Sequence, residues 1–205
     1  MKPLSKMDLL SKGLQDLTEN KKGLYSYLLA KFEKYARNEL HIKLPHYEVL
    51  RANSFLDDVM ELTDHTVYLT LEDLIALLYH QFLVQVRSTA KFSTLGQKIL
   101  NKKIELAEKE QKIVTTFEEI NPNHWALVEK KVPSKMKTKQ ITVEFHRKYL
   151  ERGEIFLYDL IKISPKFSMT LEELITILVI DFVQEVEKGN SKKVMDQIIK
   201  AFEQA

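Results

Sequence analysis

The chain contains no cysteine, and it has only five glycines and five prolines among its 205 residues. The lack of cysteine excludes disulfide bonds, thiolate catalysis and cysteine-based zinc sites. Because glycine and proline are scarce, few positions favour tight turns, and the composition favours helices over a fold built from many hairpins.

The sequence also lacks a large excess of one charge and a long apolar segment. Its 31 basic and 29 acidic residues give a net charge of +2. This charge is too small to produce the strong positive field expected of a duplex-binding protein. The most apolar run, Leu174–Ile180, is far shorter than the about 20 residues of a membrane-spanning helix. Residues 1–10 lack the apolar core of a signal peptide. We therefore expect a cytoplasmic protein without a membrane partner.

Two segments about 100 residues apart resemble each other without a gap. Thr70–Val86 (TLEDLIALLYHQFLVQV) aligns with Thr170–Val186 (TLEELITILVIDFVQEV), and nearly half of the positions are identical. The likeness extends beyond these segments, since His46 aligns with His146 at the same offset. We interpret the two segments as copies of a duplicated unit.

The duplication predicts an all-α fold of two related helical lobes, with a few short β-strands. The N-terminal lobe covers residues 1–120 and contains the first repeat at about 46–99. The C-terminal lobe covers residues 141–205 and contains the second repeat at about 146–199. A basic linker, residues 121–140, is predicted between them.

Helical periodicity and capping residues place the individual elements. Thr70 and Thr170 are good helix N-caps. Glu173, three residues after Thr170, completes a capping box, and Asp73 is a shorter version of it in the first copy. Further helices are predicted at 6–17, 22–40, 55–62, 95–120, 156–163 and 192–204, and strands at 41–44, 67–69 and 141–145.

The sequence carries no signature of catalysis or cofactor binding. It has no glycine-rich phosphate loop and no serine in a nucleophile elbow. His41 and His46 are separated by Pro45, which opposes the single helical face that a histidine zinc motif requires. We therefore predict no catalytic, metal-binding or cofactor-binding residues, and a protein that is not an enzyme.

Two polar features are candidate contact surfaces for a partner protein or a nucleic acid. The first-repeat helix keeps polar side chains where the second is apolar, and a lysine cluster follows the only tryptophan. A basic stretch beside an aromatic side chain can hold phosphates and stack a base, but a solvated linker has the same composition. The candidate contact residues are Tyr79, His80, Gln81, Gln85, Arg87, Trp125, Lys130, Lys131, Lys135, Lys137 and Lys139.

Residues 141–189, which include LERGEIFLYDLI and EELITILVIDFVQEVEKG, resemble the C-terminal winged helix of bacterial condensin-type kleisins. The likeness covers less than a quarter of the chain and consists mainly of apolar spacing. It would imply a helix-turn-helix unit in the second repeat. After Gly189, however, the sequence predicts a helix and not the strand pair of a wing, so we do not assign the chain to that family.

Three functional hypotheses follow. The leading one is a non-enzymatic interaction or regulatory protein that binds a partner protein through helical grooves. The first alternative is a nucleic-acid-associated factor, similar to a helix-turn-helix or winged-helix protein, that uses residues 79–87 and 130–139. The second alternative is a hydrolase with an acidic site between the lobes, around Asp58 and Asp159. A homodimer formed through the helix at 95–120 is also compatible with the sequence.

Overall fold

A computed structural model of the chain describes residues 4–18, 35–88, 92–109, 111–121, 124–133, 137–164 and 168–190. In chain order its elements are α1 (Leu9–Thr18), β1 (Arg37–Pro45), α2 (His46–Leu62), α3 (Leu71–Ser88), α4 (Phe92–Lys109), β2 (Gln111–Asn121), β3 (His124–Pro133), β4 (Thr138–His146), α5 (Arg147–Ile163) and α6 (Leu171–Glu185). A π-helical turn, Val186–Asn190, follows α6.

The predicted all-α fold of two helical lobes is wrong, because the protein is mixed α/β. Strand β1 pairs antiparallel with β4, and β2 pairs antiparallel with β3, in two separate two-stranded sheets. The pairing of β1 with β4 is centred on His41 opposite Thr142. The short strands predicted at 41–44 and 141–145 are confirmed as the middle parts of β1 and β4.

The β1–β4 sheet has one buried face and one exposed face. Successive side chains of a strand point to opposite faces, so a strand that is buried on one side alternates apolar and polar residues. Both strands follow this rule, and the buried residues are Leu40, Ile42 and Leu44 on β1 and Ile141, Val143 and Phe145 on β4.

Each half of the chain packs on the strand of the other half. Helix α6 lies against β1, and α3 lies against β4. The ring pairs Phe55–Phe182 and Phe82–Phe156 also cross between the halves, each edge-to-face with centroids 5.0 Å apart. One hydrophobic core therefore contains residues from both halves. The segments β1–α2–α3 and β4–α5–α6 share this core and do not form two separate lobes.

The threonine-capped helices are confirmed. The backbone N–H of Glu173 donates to Thr170 Oγ1 at 3.3 Å, and the backbone N–H of Thr170 donates to the Glu173 carboxylate at 3.0 Å. Thr70 and Asp73 make the same two bonds at 3.1 and 3.0 Å. These bonds satisfy N–H groups that have no partner within the helix, and they fix where α3 and α6 begin.

The prediction of one long helix at 95–120 is wrong. Helix α4 ends at Lys109, and β2 begins at Gln111. The run Ile113–Phe117 is made of β-branched residues and an aromatic, which fit a strand better than a helix. The predicted linker at 121–140 contains β3 and the beginning of β4.

Other local predictions differ in their bounds or lie outside the described residues. Residues 37–40, predicted to end a helix, belong to β1, and residues 67–69 do not form a strand. The helices predicted to start at 55 and 156 begin earlier, immediately after β1 and β4. The helix predicted at 192–204 lies outside the described residues. Within the described ranges, no helix combines the length and the apolarity needed to cross a lipid bilayer.

Candidate functional site

A groove of about 690 Å³ lies beside the β1–β4 sheet. Helix α6 forms its floor, α4 forms one wall, and β1 with the first turn of α2 forms the opposite wall. Ser5 and Lys6, which precede α1, line it near the start of α6. A second cavity, between α2 and α6, is smaller, at about 150 Å³.

The floor of the groove is long, and its centre is apolar. Its lining residues run from Thr170, the N-cap of α6, to Gln184 on the last turn, a distance of roughly 20 Å at the rise of an α-helix. Ile177 and Ile180 lie in the middle of this span and are almost completely buried. The groove therefore has the length of about four helical turns, with an apolar centre between polar ends.

Two consecutive lysines attach the wall helix α4 to α6. Lys103 Nζ lies 2.8 Å from Glu173 Oε2 near the start of α6, and Lys102 Nζ lies 3.1 Å from Asp181 Oδ1 farther along it. Both carboxylates are about half exposed, so each pair contributes at most about 1 kcal/mol. Leu106, one turn after these lysines, supplies an apolar part of the wall.

The opposite wall follows from the alternation of β1. Because its even-numbered residues from Leu40 to Leu44 face the core, Lys43 lies on the groove side. Thr176 Oγ1 donates to the backbone carbonyl of Lys43 at 3.3 Å and joins the floor to this wall. Tyr47, in the first turn of α2, is 62% exposed, and the guanidinium of Arg51 lies 4.0 Å from the centre of its ring.

Glu154, on α5, holds the N-terminal segment in place. Its side chain is completely buried, and its carboxylate accepts from the backbone N–H of Leu9 at 3.2 Å, from that of Leu10 at 2.6 Å and from the Ser5 hydroxyl. These N–H groups belong to the first turn of α1, where they have no partner within the helix and where a negative charge is favourable. Glu154 therefore positions the segment that brings Lys6 to the groove.

The rim of the groove carries two lysines, Lys6 and Lys43. Within the part of the chain that the structure describes, neither Lys6 nor Lys43 lies within ion-pair distance of a carboxylate. The neighbouring acidic groups are engaged, since Glu173 is paired with Lys103 and Glu172 accepts from the backbone N–H of Lys6 at 3.0 Å. The surface offered to a ligand thus has an apolar centre at Ile177 and Ile180, and it carries Lys6 and Lys43 near the carboxylates of Glu48, Glu172 and Glu173.

The predicted contact residues on α3 divide into core and surface. Tyr79 belongs to the core: its hydroxyl donates to the Tyr149 carbonyl at 2.8 Å, and its ring packs edge-on against Phe145. Burial raises the pKa of Tyr79, and the negative charge of Glu154 raises it further. Tyr79 therefore has almost no exposed side-chain surface, and its role as a contact residue stays a prediction. The remaining predicted residues of this helix are exposed, namely His80, Gln81, Gln85 and Arg87.

The predicted lysine cluster is distributed over different elements. Lys130 is exposed on β3, whereas Lys137 and Lys139 are exposed at the start of β4, in the other sheet. Lys131 belongs to β3, but its side chain and all of Lys135 lie outside the described part of the chain. Binding of a partner or a nucleic acid by these lysines stays a prediction.

Trp125, the predicted aromatic contact residue, packs against another aromatic side chain. It lies at the start of β3 and is 53% exposed. Its ring stacks on that of Phe117, with the planes 9° from parallel and the centroids 6.0 Å apart. The structure thus pairs the predicted aromatic with another aromatic of the same hairpin.

The two acidic residues of the hydrolase hypothesis do not share either of the two cavities described above. Asp58 lines the smaller cavity together with Arg51 and Phe182, whereas Asp159, on α5, lines neither of the two cavities. Among the described residues, no three His, Asp or Glu side chains are grouped so that they could hold a metal ion. The geometry thus gives the acidic-site hypothesis no support.

Sequence reasoning missed the residues that form the groove, including Lys6, Lys43 and Tyr47. The alternation at 41–44 was the available signal, because a strand that buries Leu44 must place Lys43 on the opposite side. No local signal indicates that α4 meets α6, because the pair Lys103–Glu173 joins residues far apart in sequence.

Comparisons with known proteins do not assign the chain to a family. No protein-family model matches it, and neither the search of curated proteins nor that of solved structures found a match. The groove must therefore be interpreted from its own geometry and chemistry.

Proposed function

We propose that the protein is a non-enzymatic interaction protein that binds an amphipathic helix of a partner protein in the groove between α4, β1 and α6. The observation that supports this most is the floor of roughly 20 Å along α6, which has Ile177 and Ile180 at its centre. A partner helix buries apolar anchors spaced three and four residues apart in such a groove. A compact ligand would occupy only part of this length.

The charges at the rim define the partner further. Lys6 and Lys43 have no acidic partner among the described residues, so they favour a helix with acidic residues beside its apolar anchors. Tyr47 adds an exposed aromatic side chain, a residue type that often contributes much of the binding energy at interfaces. The partner is therefore an acidic amphipathic helix.

The proposal is tested by selecting helical peptides from a display library against the full-length protein. We expect the enriched peptides to carry apolar residues spaced three and four apart, flanked by aspartate or glutamate. Affinity for the best peptide should fall at least about tenfold in the double variant Lys6→Glu/Lys43→Glu, because two attractions become repulsions. Ala107→Glu, which places a charged side chain in the exposed α4 wall, should weaken binding as well.

The double variant Lys98→Glu/Lys162→Glu is the matched control, because it changes the net charge equally at exposed positions outside the groove. Its affinity for the peptide should stay within about twofold of the parent protein. Peptides without the amphipathic acidic pattern, or peptides that bind the groove variants and the parent equally, would refute the proposal.

A further inference from the structure

The β2–β3 hairpin carries exposed apolar side chains. Among the described elements its main contact is with α4, which directly precedes it. Phe117, Leu127 and Trp125 share one face, because Phe117 is opposite Leu127 and Glu119 is opposite Trp125. Their exposed fractions are 62%, 69% and 53%. A two-stranded hairpin of this kind is marginally stable on its own in water.

Both long edges of this hairpin are open within the described residues, since no third strand joins the sheet. An open edge presents unpaired backbone N–H and C=O groups that can pair with another strand. The edge of β3 opposes such pairing, because Pro133 lacks an N–H and the adjacent residues Lys130 and Lys131 are both positive. The edge of β2 has neither feature.

The sequence of β2 is complementary to itself in antiparallel orientation. When two copies of this strand are related by a two-fold axis through Thr115, Lys112 of each copy lies opposite Glu118 of the other. In the same register Ile113 of each copy lies opposite Phe117 of the other. Directly opposed residues share a face of the sheet, so both pairs are favourable cross-strand pairs.

We propose that β2 of one copy of this chain pairs with β2 of a second copy, in antiparallel register centred on Thr115, and forms a four-stranded sheet. The charge pattern favours a second copy over a nucleic acid, because Glu119 and Glu129 lie on the same face of the hairpin as the aromatic pair and repel phosphates. The interface contains one strand and a short row of side chains from each copy. The dimer is accordingly weak, with a dissociation constant of roughly micromolar or above.

Sedimentation velocity of the full-length protein between about 10 μM and 1 mM tests the pairing. We expect a monomer–dimer equilibrium in the parent protein. Lys112→Glu alone and Glu118→Lys alone should each raise the dissociation constant about tenfold or more, because each places like charges opposite each other twice per dimer. Lys98→Glu, an exposed change of equal charge on α4, should leave the constant within about twofold.

Restoration of the opposite charges separates strand pairing from damage to the hairpin. The double variant Lys112→Glu/Glu118→Lys should dimerise like the parent, and so should an equimolar mixture of the two single variants. Fluorescence of Trp125, the only tryptophan, checks that the hairpin stays folded in each variant. A protein that is monomeric at every concentration overturns the proposal, as does a dimer that the single variants leave unchanged or that neither the double variant nor the mixture restores.

Discussion

Replacing the buried carboxylate of Glu154 by an amide should destabilise the protein and release the N-terminal segment. In the parent protein the carboxylate accepts three hydrogen bonds, from Leu9, Leu10 and Ser5. Glu154→Gln keeps the size of the side chain but turns one of its two acceptor atoms into a donor. At least one backbone N–H of the first turn of α1 then faces an NH₂ group, and the favourable charge at the helix start is lost.

The size of this effect follows from the burial of the site. A hydrogen bond to a charged group contributes about 1.5–3 kcal/mol, and a buried donor without a partner costs about as much. Because Glu154 is 0% exposed, water cannot replace the lost acceptor without local opening. We therefore expect Glu154→Gln to lower the free energy of unfolding by about 2–4 kcal/mol.

Urea unfolding followed by circular dichroism, together with hydrogen exchange of the amides of residues 4–10, measures both consequences. Glu151→Gln is the control on the same helix, because Glu151 forms a partly exposed pair with Arg147 at 2.8 Å. We expect this control to cost no more than about 0.5 kcal/mol. Equal stabilities of the two variants, with unchanged exchange at Leu9 and Leu10, would refute the assigned role of Glu154.

Three further predictions concern the core and the helix start. Burial raises the pKa of Tyr79, so the phenol loses its proton at a lower pH in the unfolded chain than in the folded protein. The free energy of unfolding should therefore fall as the pH rises above about 10. In urea titrations from pH 9 to 11, the variant Tyr79→Phe should show a smaller fall. Gly153→Ala should lower the free energy of unfolding by about 3 kcal/mol, since the added methyl group would collide with the Tyr79 hydroxyl and the Leu171 side chain. Thermal unfolding of this variant and of the parent protein measures the difference. Thr170→Ala should cost about 1 kcal/mol by removing the cap of α6, whereas Thr170→Ser should cost less than half of that in the same assay.

The elements that the sequence predicted well carry local chemical signals. Thr170 and Glu173 form their capping box within one turn, so the start of α6 could be read without knowing the fold. The strand at 141–145 was predicted because alternation is a property of neighbouring residues. The helix at 95–120 failed because Leu100 and Ile104 extend an apolar helical spacing to Val114 and Phe117, and this spacing outweighed the β-branched composition after Gln111.

The fold class and the groove could not be predicted because they depend on contacts between distant residues. The sequence likeness of the two halves suggested two lobes, but Phe55 packs on Phe182 and Phe82 on Phe156, across the halves. The polar hydroxyl of Tyr79 favours a surface position, yet a carbonyl on α5 accepts a hydrogen bond from that hydroxyl inside the core.

Photocrosslinking from Tyr47 in the organism that encodes the protein tests the proposed groove most directly. Tyr47, which lines the groove, and Tyr68, which is 75% exposed elsewhere, would each be replaced by a photoreactive phenylalanine derivative. We predict a discrete adduct with one acidic amphipathic segment of a partner protein at position 47, none at position 68, and loss of the adduct in the variant Lys6→Glu/Lys43→Glu. No adduct at position 47, equal adducts at both positions, or an adduct that survives this charge reversal would contradict a partner helix in the groove.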